Sequence, residues 1–245
     1  MNRAAWIGWV LGGLMLLISS HSFAQVNTLG KDFVVSFFEN GRVLDSVNTA
    51  PEKAVIFITA AEKTSGIIQT PRQEIAFDLE KGQQFVREFD AKAEGLIHQQ
   101  SNFVEARSLR ISAAGLVAVH ALNGRAYSSD GTVVLPVAAL GLDYMVFTHH
   151  ERSYVSGSPL NHTTEESVLV ITAVEDDTEV EILTSVRTQN GFPSNYRFTV
   201  NLNSGQTYQL KSDEDLSGTR VKVLNDEGAN CRKVAVFMGN RMTSA

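Results

Sequence analysis

The chain has 245 residues, 43% hydrophobic and 20% charged, with 18 Gly, 5 Pro and one Cys. That is a globular composition, which excludes collagen-like, largely disordered and disulfide-dense chains. A formal net charge of -6 lacks the positive excess that phosphate backbones attract, which excludes general nucleic-acid binding, and one Cys builds neither an internal disulfide nor a cysteine zinc site.

Residues 1–24 read as a cleaved signal peptide. Arg3 supplies the positive start, Trp6 to Ile18 is apolar, and Ser22-Phe23-Ala24 places small residues ahead of a cut between Ala24 and Gln25. The apolar stretch falls short of the about 20 residues that a spanning helix needs. No second hydrophobic stretch follows, so the expectation is a protein secreted or held at the cell surface, with no membrane span once the leader is removed.

Beyond the leader the sequence reads as strands almost throughout. Short runs rich in Val, Ile, Thr, Phe and Tyr alternate apolar with polar residues, at Phe33 to Phe38, Ala54 to Ala60, Glu74 to Leu79, Leu116 to Leu122, Val168 to Ala173, Arg197 to Leu202 and Lys233 to Met238. Asn40-Gly41 and Asn123-Gly124 have the residue types of two-residue hairpin turns. Glu62 to Ser65 and Glu175 to Thr178 also read as hairpin loops. Asp90 to Gln100 carries good helix formers, Ala91, Lys92, Ala93 and Glu94, and is the one helical expectation.

An internal repeat organises these strands. Leu29 to Val35 matches Leu140 to Val146, Val55 to Glu62 matches Val168 to Glu175, Phe77 to Gln83 matches Val200 to Gln206, and Val117 to His120 matches Val234 to Phe237. The order is kept, and the offsets stay between 111 and 123 residues. Duplication is the reading. It divides the chain into a first β repeat over 25–139 and a second over 140–245. The expected fold is all-β, two tandem antiparallel β-sandwich-like repeats, with β-propeller-like blades as the alternative.

Few residues suggest chemistry. Ser156-Gly157-Ser158-Pro159 lacks the second Gly of a nucleophile elbow and reads as a loop. His149 and His150 would point to opposite faces of a strand, and no His-Glu-x-x-His pattern joins them to His162. Two acidic turns, one with Glu175, Asp176, Asp177 and Glu179 and one with Asp213, Glu214 and Asp215, have the oxygen ligands that calcium uses, but not EF-hand spacing; solvated turns are the plainer reading. Asn161-His162-Thr163 fits a glycosylation sequon, of consequence only in a eukaryotic host. The Asn-Gly-Arg triplets at Asn40 and Asn123 read as turns, not adhesion peptides. Cys231, alone in an oxidising compartment, is either disulfide-bonded to a partner outside this chain or a buried free thiol. Catalytic, cofactor and metal residues are assigned to none, and the binding residues stay unknown at this stage.

The repeated Leu-Gly-x-Asp-aromatic start, the Val-x-Ile-Thr-Ala strand and the Gly-Gln turn are joined by Asp215-Leu216-Ser217-Gly218-Thr219-Arg220-Val221 and Val234-Ala235-Val236-Phe237-Met238-Gly239-Asn240. Together, from Leu29 onward, they resemble the IgGFc-binding protein N-terminal domain family, with the Asp-Leu-Ser-Gly segment and the strand after it the most specific parts. The resemblance implies an extracellular binding or adhesion role and no catalytic signature. Relatives continue past the last strand, so this chain is expected to be a fragment with a truncated second repeat. The expected function is a non-enzymatic binding or adhesion module that recognises an extracellular protein or glycan through loops on a β scaffold. A spacer repeat in a stalk or fibre is the alternative. So is part of an extracellular hydrolase whose active site lies outside the chain.

Overall fold

The computed structural model describes residues 27–41, 51–125, 128–149, 152–154, 162–164, 166–224 and 232–241. The leader with Ala24 and Gln25, the Ser156 loop, His150, Asn161 and Cys231 lie outside the described residues. The fold is all-β. Among the described residues there is no α-helix, and no helix is long and apolar enough to cross a membrane.

The first unit holds nine strands: β1 (Leu29–Phe38), β2 (Lys53–Ala60), β3 (Thr64–Gln69), β4 (Glu74–Leu79), β5 (Gln84–Asp90), β6 (Ile97–His98), β7 (Phe103–Glu105), β8 (Ser108–Arg125) and β9 (Ser128–Val134). After a single 3-10 turn over Val137–Ala139, the second unit adds nine more. They are β10 (Asp143–Met145), β11 (Arg152–Tyr154), β12 (His162–Thr164), β13 (Ser167–Ala173), β14 (Thr178–Leu183), β15 (Arg197–Leu202), β16 (Thr207–Ser212), β17 (Arg220–Val223) and β18 (Val234–Asn240). Each unit has its own apolar core, one built on Phe33, Ile56, Ile58, Leu109 and Ile111, the other on Leu169, Ile171, Ile182, Leu210 and Val221.

The two units share a connectivity. In the second, β15-β14-β17-β10 forms one antiparallel layer and β7-β16-β13-β18 the other. In the first, β4-β3-β8-β1 and β5-β2-β8-β9 correspond, with the long β8 serving both layers. β8 crosses at Gly115, where the backbone N–H groups of Gly115 and Leu116 donate to Thr64 Oγ1 (2.7 Å) and Glu62 Oε1 (2.8 Å). At the corresponding place in the second unit, Lys233 N–H donates to Glu175 Oε2 (2.8 Å).

The Gly-Gln turns also match. Gly82 and Gly205 have φ of 79° and 75°, the left-handed region that Gly enters without a Cβ penalty. Gln83 Oε1 accepts the Glu80 N–H at 2.8 Å, and Gln206 Oε1 accepts the Asn203 N–H at 2.7 Å. Asp32 and Asp143, the acids of the two Leu-Gly-x-Asp starts, each take a two-pronged ion pair from an Arg on the neighbouring strand, Arg110 and Arg220.

Three local expectations are corrected. Asp90 to Gln100 is not a helix: the chain makes one turn, with Glu94 N–H on Asp90 O, and Gly95 at φ 71° stops it before β6. Asn123-Gly124 is not a turn but lies inside β8, paired with Ala54 and Lys53. The chain reverses between Arg125 and Ser128 instead, and Asn123 Nδ2 is held by the Phe38 carbonyl (2.8 Å). Glu62 to Ser65 and Glu175 to Thr178 are not hairpin loops either. β2 pairs with β5 and β8 while β3 pairs with β4 and β8, and β13 and β14 lie in different sheets, so both turns carry the chain from one layer to the other.

Every residue of β13 and β16 is buried. A strand with one solvated face alternates; a fully buried one belongs to a sheet covered on both sides. One face of this sheet meets the second core. The other meets the first unit, where Val34 packs on Val174 and Ala235, and Ser36 Oγ and Thr172 Oγ1 share a hydrogen bond of 2.6 Å.

Close packing makes Gly66 decisive. A Cβ on Gly66 would overlap the Ser112 carbonyl oxygen and the Phe77 ring, whereas one on Gly131 would sit in ordinary contact, with Leu122 at 3.5 Å. Gly66→Ala is expected to cost about 1–3 kcal/mol by overpacking, and Gly131→Ala to stay near neutral. Thermal unfolding of the two variants beside the parent chain checks this.

Candidate functional site

The seam between the units is polar at its far end. Lys211 is buried and reaches Glu39 Oε2 at 2.8 Å; Arg241 lies 3.5 Å from the same oxygen and pairs with Glu166. Burial pushes the Glu166 carboxyl up, but the adjacent Arg241 guanidinium and the Gln189 amide outweigh it and leave it below the usual range. Beside these groups, His98 is fully buried with Nδ1 3.2 Å from Glu105 Oε2, and Arg107 binds the other Glu105 oxygen at 2.8 Å. Burial holds His98 below its ordinary pKa, against the pull of the Glu105 carboxylate.

Where the seam reaches the surface it opens into a groove of about 720 Å3. β1 contributes Phe37 and Phe38, β9 contributes Ser129 to Thr132, and β18 supplies the opposite side. The segment Phe147-Thr148-His149 forms the rim, and the Asp215-Leu-Ser-Gly turn holds it there. Val146 N–H donates to Thr219 O (2.8 Å) and Gly218 N–H to Val146 O (3.0 Å). Thr148 N–H donates to Ser217 Oγ, and Ser217 Oγ–H to Thr148 O, both at 2.9 Å. Thr148 Oγ1 donates to Asp215 Oδ1 at 2.6 Å, and Ser217 N–H to the same oxygen at 2.9 Å. Burial raises the Asp215 carboxyl, and these hydrogen bonds more than offset it, so it sits below the usual range.

This clamp leaves Phe147 77% exposed. An aromatic ring held out at the rim of a groove by a fixed backbone is what a recognition surface uses. Of the hydroxyls in the groove's wall, Ser36 is committed to Thr172, Thr148 to Asp215 and Thr132 to the Val133 carbonyl. The groove offers apolar contact and backbone hydrogen bonding, with Ser129 and Asp130 as polar side chains on the β9 side.

The residues singled out in the sequence are mostly brought elsewhere. His149 lies on the rim, and its carbonyl accepts the Asn240 amide at 2.6 Å. The backbone of His162 pairs with Tyr154 in a separate two-stranded ribbon. The first acidic turn is bonded inward: Asp176 Oδ1 accepts Ser204 N–H (2.9 Å), Asp177 meets Arg232 (3.4 Å), and Glu175 meets Lys233 N–H. In the second, Asp213 accepts from Gln189 and Asp215 serves the clamp. Among the described residues no group of three or more His, Cys, Asp or Glu side chains is arranged to hold a metal ion. The sequence marked the Asp-Leu-Ser-Gly motif and the Val234 to Asn240 strand as characteristic segments, but not Phe147 or the outward direction of the β18 edge.

The family described as IgGFc binding protein matches residues 130–245. The match begins within β9 and spans the second unit with both of the more specific segments. A search of curated proteins finds no match. Among solved structures, the chain is similar to vicilin from hazelnut (Corylus avellana), with 10% identity over 77% of this chain and 69% of that one, and a TM-score of 0.25. At that score the likeness establishes no common fold.

His98 gives the seam a pH dependence. A His with a folded pKa below its unfolded value of about 6.5 binds fewer protons folded than unfolded, so its contribution is present at neutral pH and is lost as the pH falls from about 6.5 toward the folded pKa. Urea unfolding at pH 7, 6 and 5 is expected to show stability falling, by up to about 1.4 kcal/mol per pH unit from this one group. In His98→Gln that part of the slope disappears, while any general loss from the substitution moves all three values together.

Proposed function

We propose that this chain, whose residues 130–245 match the IgGFc binding protein family, is an exported, non-enzymatic module that binds a protein partner through the groove at its seam. The observation that carries this reading is Phe147, held exposed at the groove rim by the motif that is most specific to the family. The family's name speaks of a protein ligand, an immunoglobulin Fc. The site's chemistry favours the same class, because exposed aromatic surface and backbone edges suit a polypeptide. It is a groove between strands, where the sequence alone pointed to loops. The leader over 1–24 supports export, and the matching connectivity of the two units supports a duplicated scaffold, suited to display in a longer surface protein.

Two experiments test this. Expressed with its leader in a secreting host, the chain is expected outside the cytoplasm with Gln25 as its first residue; N-terminal sequencing that finds Met1 in the cytoplasmic fraction overturns the export half. For binding, the purified chain is set against an array of extracellular proteins that includes the IgG Fc fragment, with glycans and chromogenic ester, peptide and glycoside substrates alongside. Saturable binding of a protein, weakened at least tenfold by Phe147→Ala and by Thr132→Arg in the opposite wall, is expected, with no turnover. Protein binding indifferent to both variants, selective glycan binding, or hydrolysis abolished by a point substitution each overturns it.

A further inference from the structure

Among the described residues, the long side of β18 that faces the groove is an open strand edge. In an antiparallel pair, alternate residues direct both backbone polar groups toward the partner, and the residues between direct theirs away. Val174 N–H bonds to Lys233 O and Arg241 N–H bonds to Glu166 O, so positions 233 to 241 at odd numbers face β13. Val236 and Met238 therefore turn their N–H and C=O groups outward. Among the described residues neither pair has a backbone partner; the Met238 sulfur instead accepts the Phe147 N–H at 3.0 Å.

Three features say what this edge receives. In the first unit the corresponding stretch of β8 has its outer side covered by β9, paired from Val119↔Val134 to Arg125↔Ser128. The same β7-β16-β13-β18 sheet already accepts one inserted strand at its other end, where β7 from the first unit pairs with β16 at Thr207↔Glu105. The groove is continuous with that seam. Finally, edge strands are ordinarily guarded by charge. The edges β4, β5, β7, β9, β10 and β15 each carry a carboxylate or an Arg and the two-residue β6 carries none, whereas the seven residues of β18 read Val-Ala-Val-Phe-Met-Gly-Asn, with charge only at the flanking Lys233 and Arg241.

We propose that an extended segment of the partner protein adds to the outer edge of β18 as an extra strand, pairing with the backbone of Val236 and Met238 and placing apolar side chains against Phe147 and Phe38. This rests on the groove reading above and names its mode. The segment has the chemistry of β9, Ser-Ser-Asp-Gly-Thr-Val-Val, a short run of small polar residues that ends in apolar ones and holds no Pro. Strand addition draws its affinity from main-chain hydrogen bonds and its selectivity from alternate side chains.

The probe is a synthetic peptide with the sequence of Ser128 to Leu135, added to the full chain. Amide hydrogen exchange is followed by NMR at Val236 and Met238, whose outward N–H groups are expected to exchange fast without peptide. Saturating peptide is expected to slow both by at least tenfold. A peptide N-methylated at alternate residues, which leaves the protein untouched, is expected to bind at least tenfold more weakly, as is the parent peptide to Met238→Pro, a substitution that an edge strand tolerates where its N–H points outward. Phe103→Ala on β7 is expected to leave binding unchanged. Protection of the two amides without peptide that grows with protein concentration assigns the edge to a second copy and overturns the proposal, as does peptide binding that spares both amides or ignores N-methylation. Should a partner bind in a Phe147-dependent way with Val236 and Met238 still exchanging fast, strand addition fails and the groove reading stands. Should neither peptide nor protein bind at the groove, both fail.

Discussion

The structure depends on one sheet having no wet face. β13 and β16 lie between two apolar layers, so the second unit cannot keep its β7-β16-β13-β18 sheet dry without the first unit against it. Exposing that face would return Val168, Val170 and Val174 to water, at roughly 25 cal/mol per Å2 of apolar surface. It would also strip the partners from groups that the seam has paired. Thr172, Lys211 and Gln209 are buried polar residues of β13 and β16, and each finds a partner in the first unit, Ser36, Glu39 and the Gln100 carbonyl. Unsatisfied buried polar groups are costly, so these three bonds favour the register that the seam adopts.

That fixed placement is what makes a groove between units a usable site. A recognition surface assembled from two bodies loses affinity if they must first be ordered against one another. Here β7 crosses from one unit to the other and β1 packs on both, so the groove walls are set before anything binds. The rim is set as well. Phe147 is held by bonds to its neighbours Val146 and Thr148 and not by its own side chain, which leaves the ring free to be covered.

Much of the fold was legible because the residues that recur are those with special backbone duties. Gly82 and Gly205 stand where φ must be positive, Gln83 and Gln206 cap their own turns, and Asp32 and Asp143 tie strand to strand. Such positions admit few residue types, so their spacing shows through a sequence. The misreadings share a cause too. Asn123-Gly124 has turn chemistry, but the carbonyl of Asn123 is held by Asn40 and its amide by Phe38, and those tertiary bonds keep it in a strand. Glu62 and Glu175 read as solvent-facing turn residues, yet each caps a backbone N–H across the sandwich. The groove was not legible at all. It is made by main-chain direction and by the approach of two units, which turn chemistry and strand alternation do not report.

The absence of charge along β18 then becomes the informative residue pattern. An uncharged apolar strand at an edge is an aggregation hazard, and most edges of this protein carry a guard. An unguarded one is tolerable when approach to it is restricted. Here β9 stands on one side, Phe147 to His149 on the other, and the Phe37–Phe38 end of β1 closes the floor. A single extended segment needs less room between such walls than a flat sheet edge of another molecule does. The same enclosure that keeps β18 from pairing indiscriminately gives side-chain selectivity to whatever strand enters, because each alternate side chain of the guest must meet a wall or the floor.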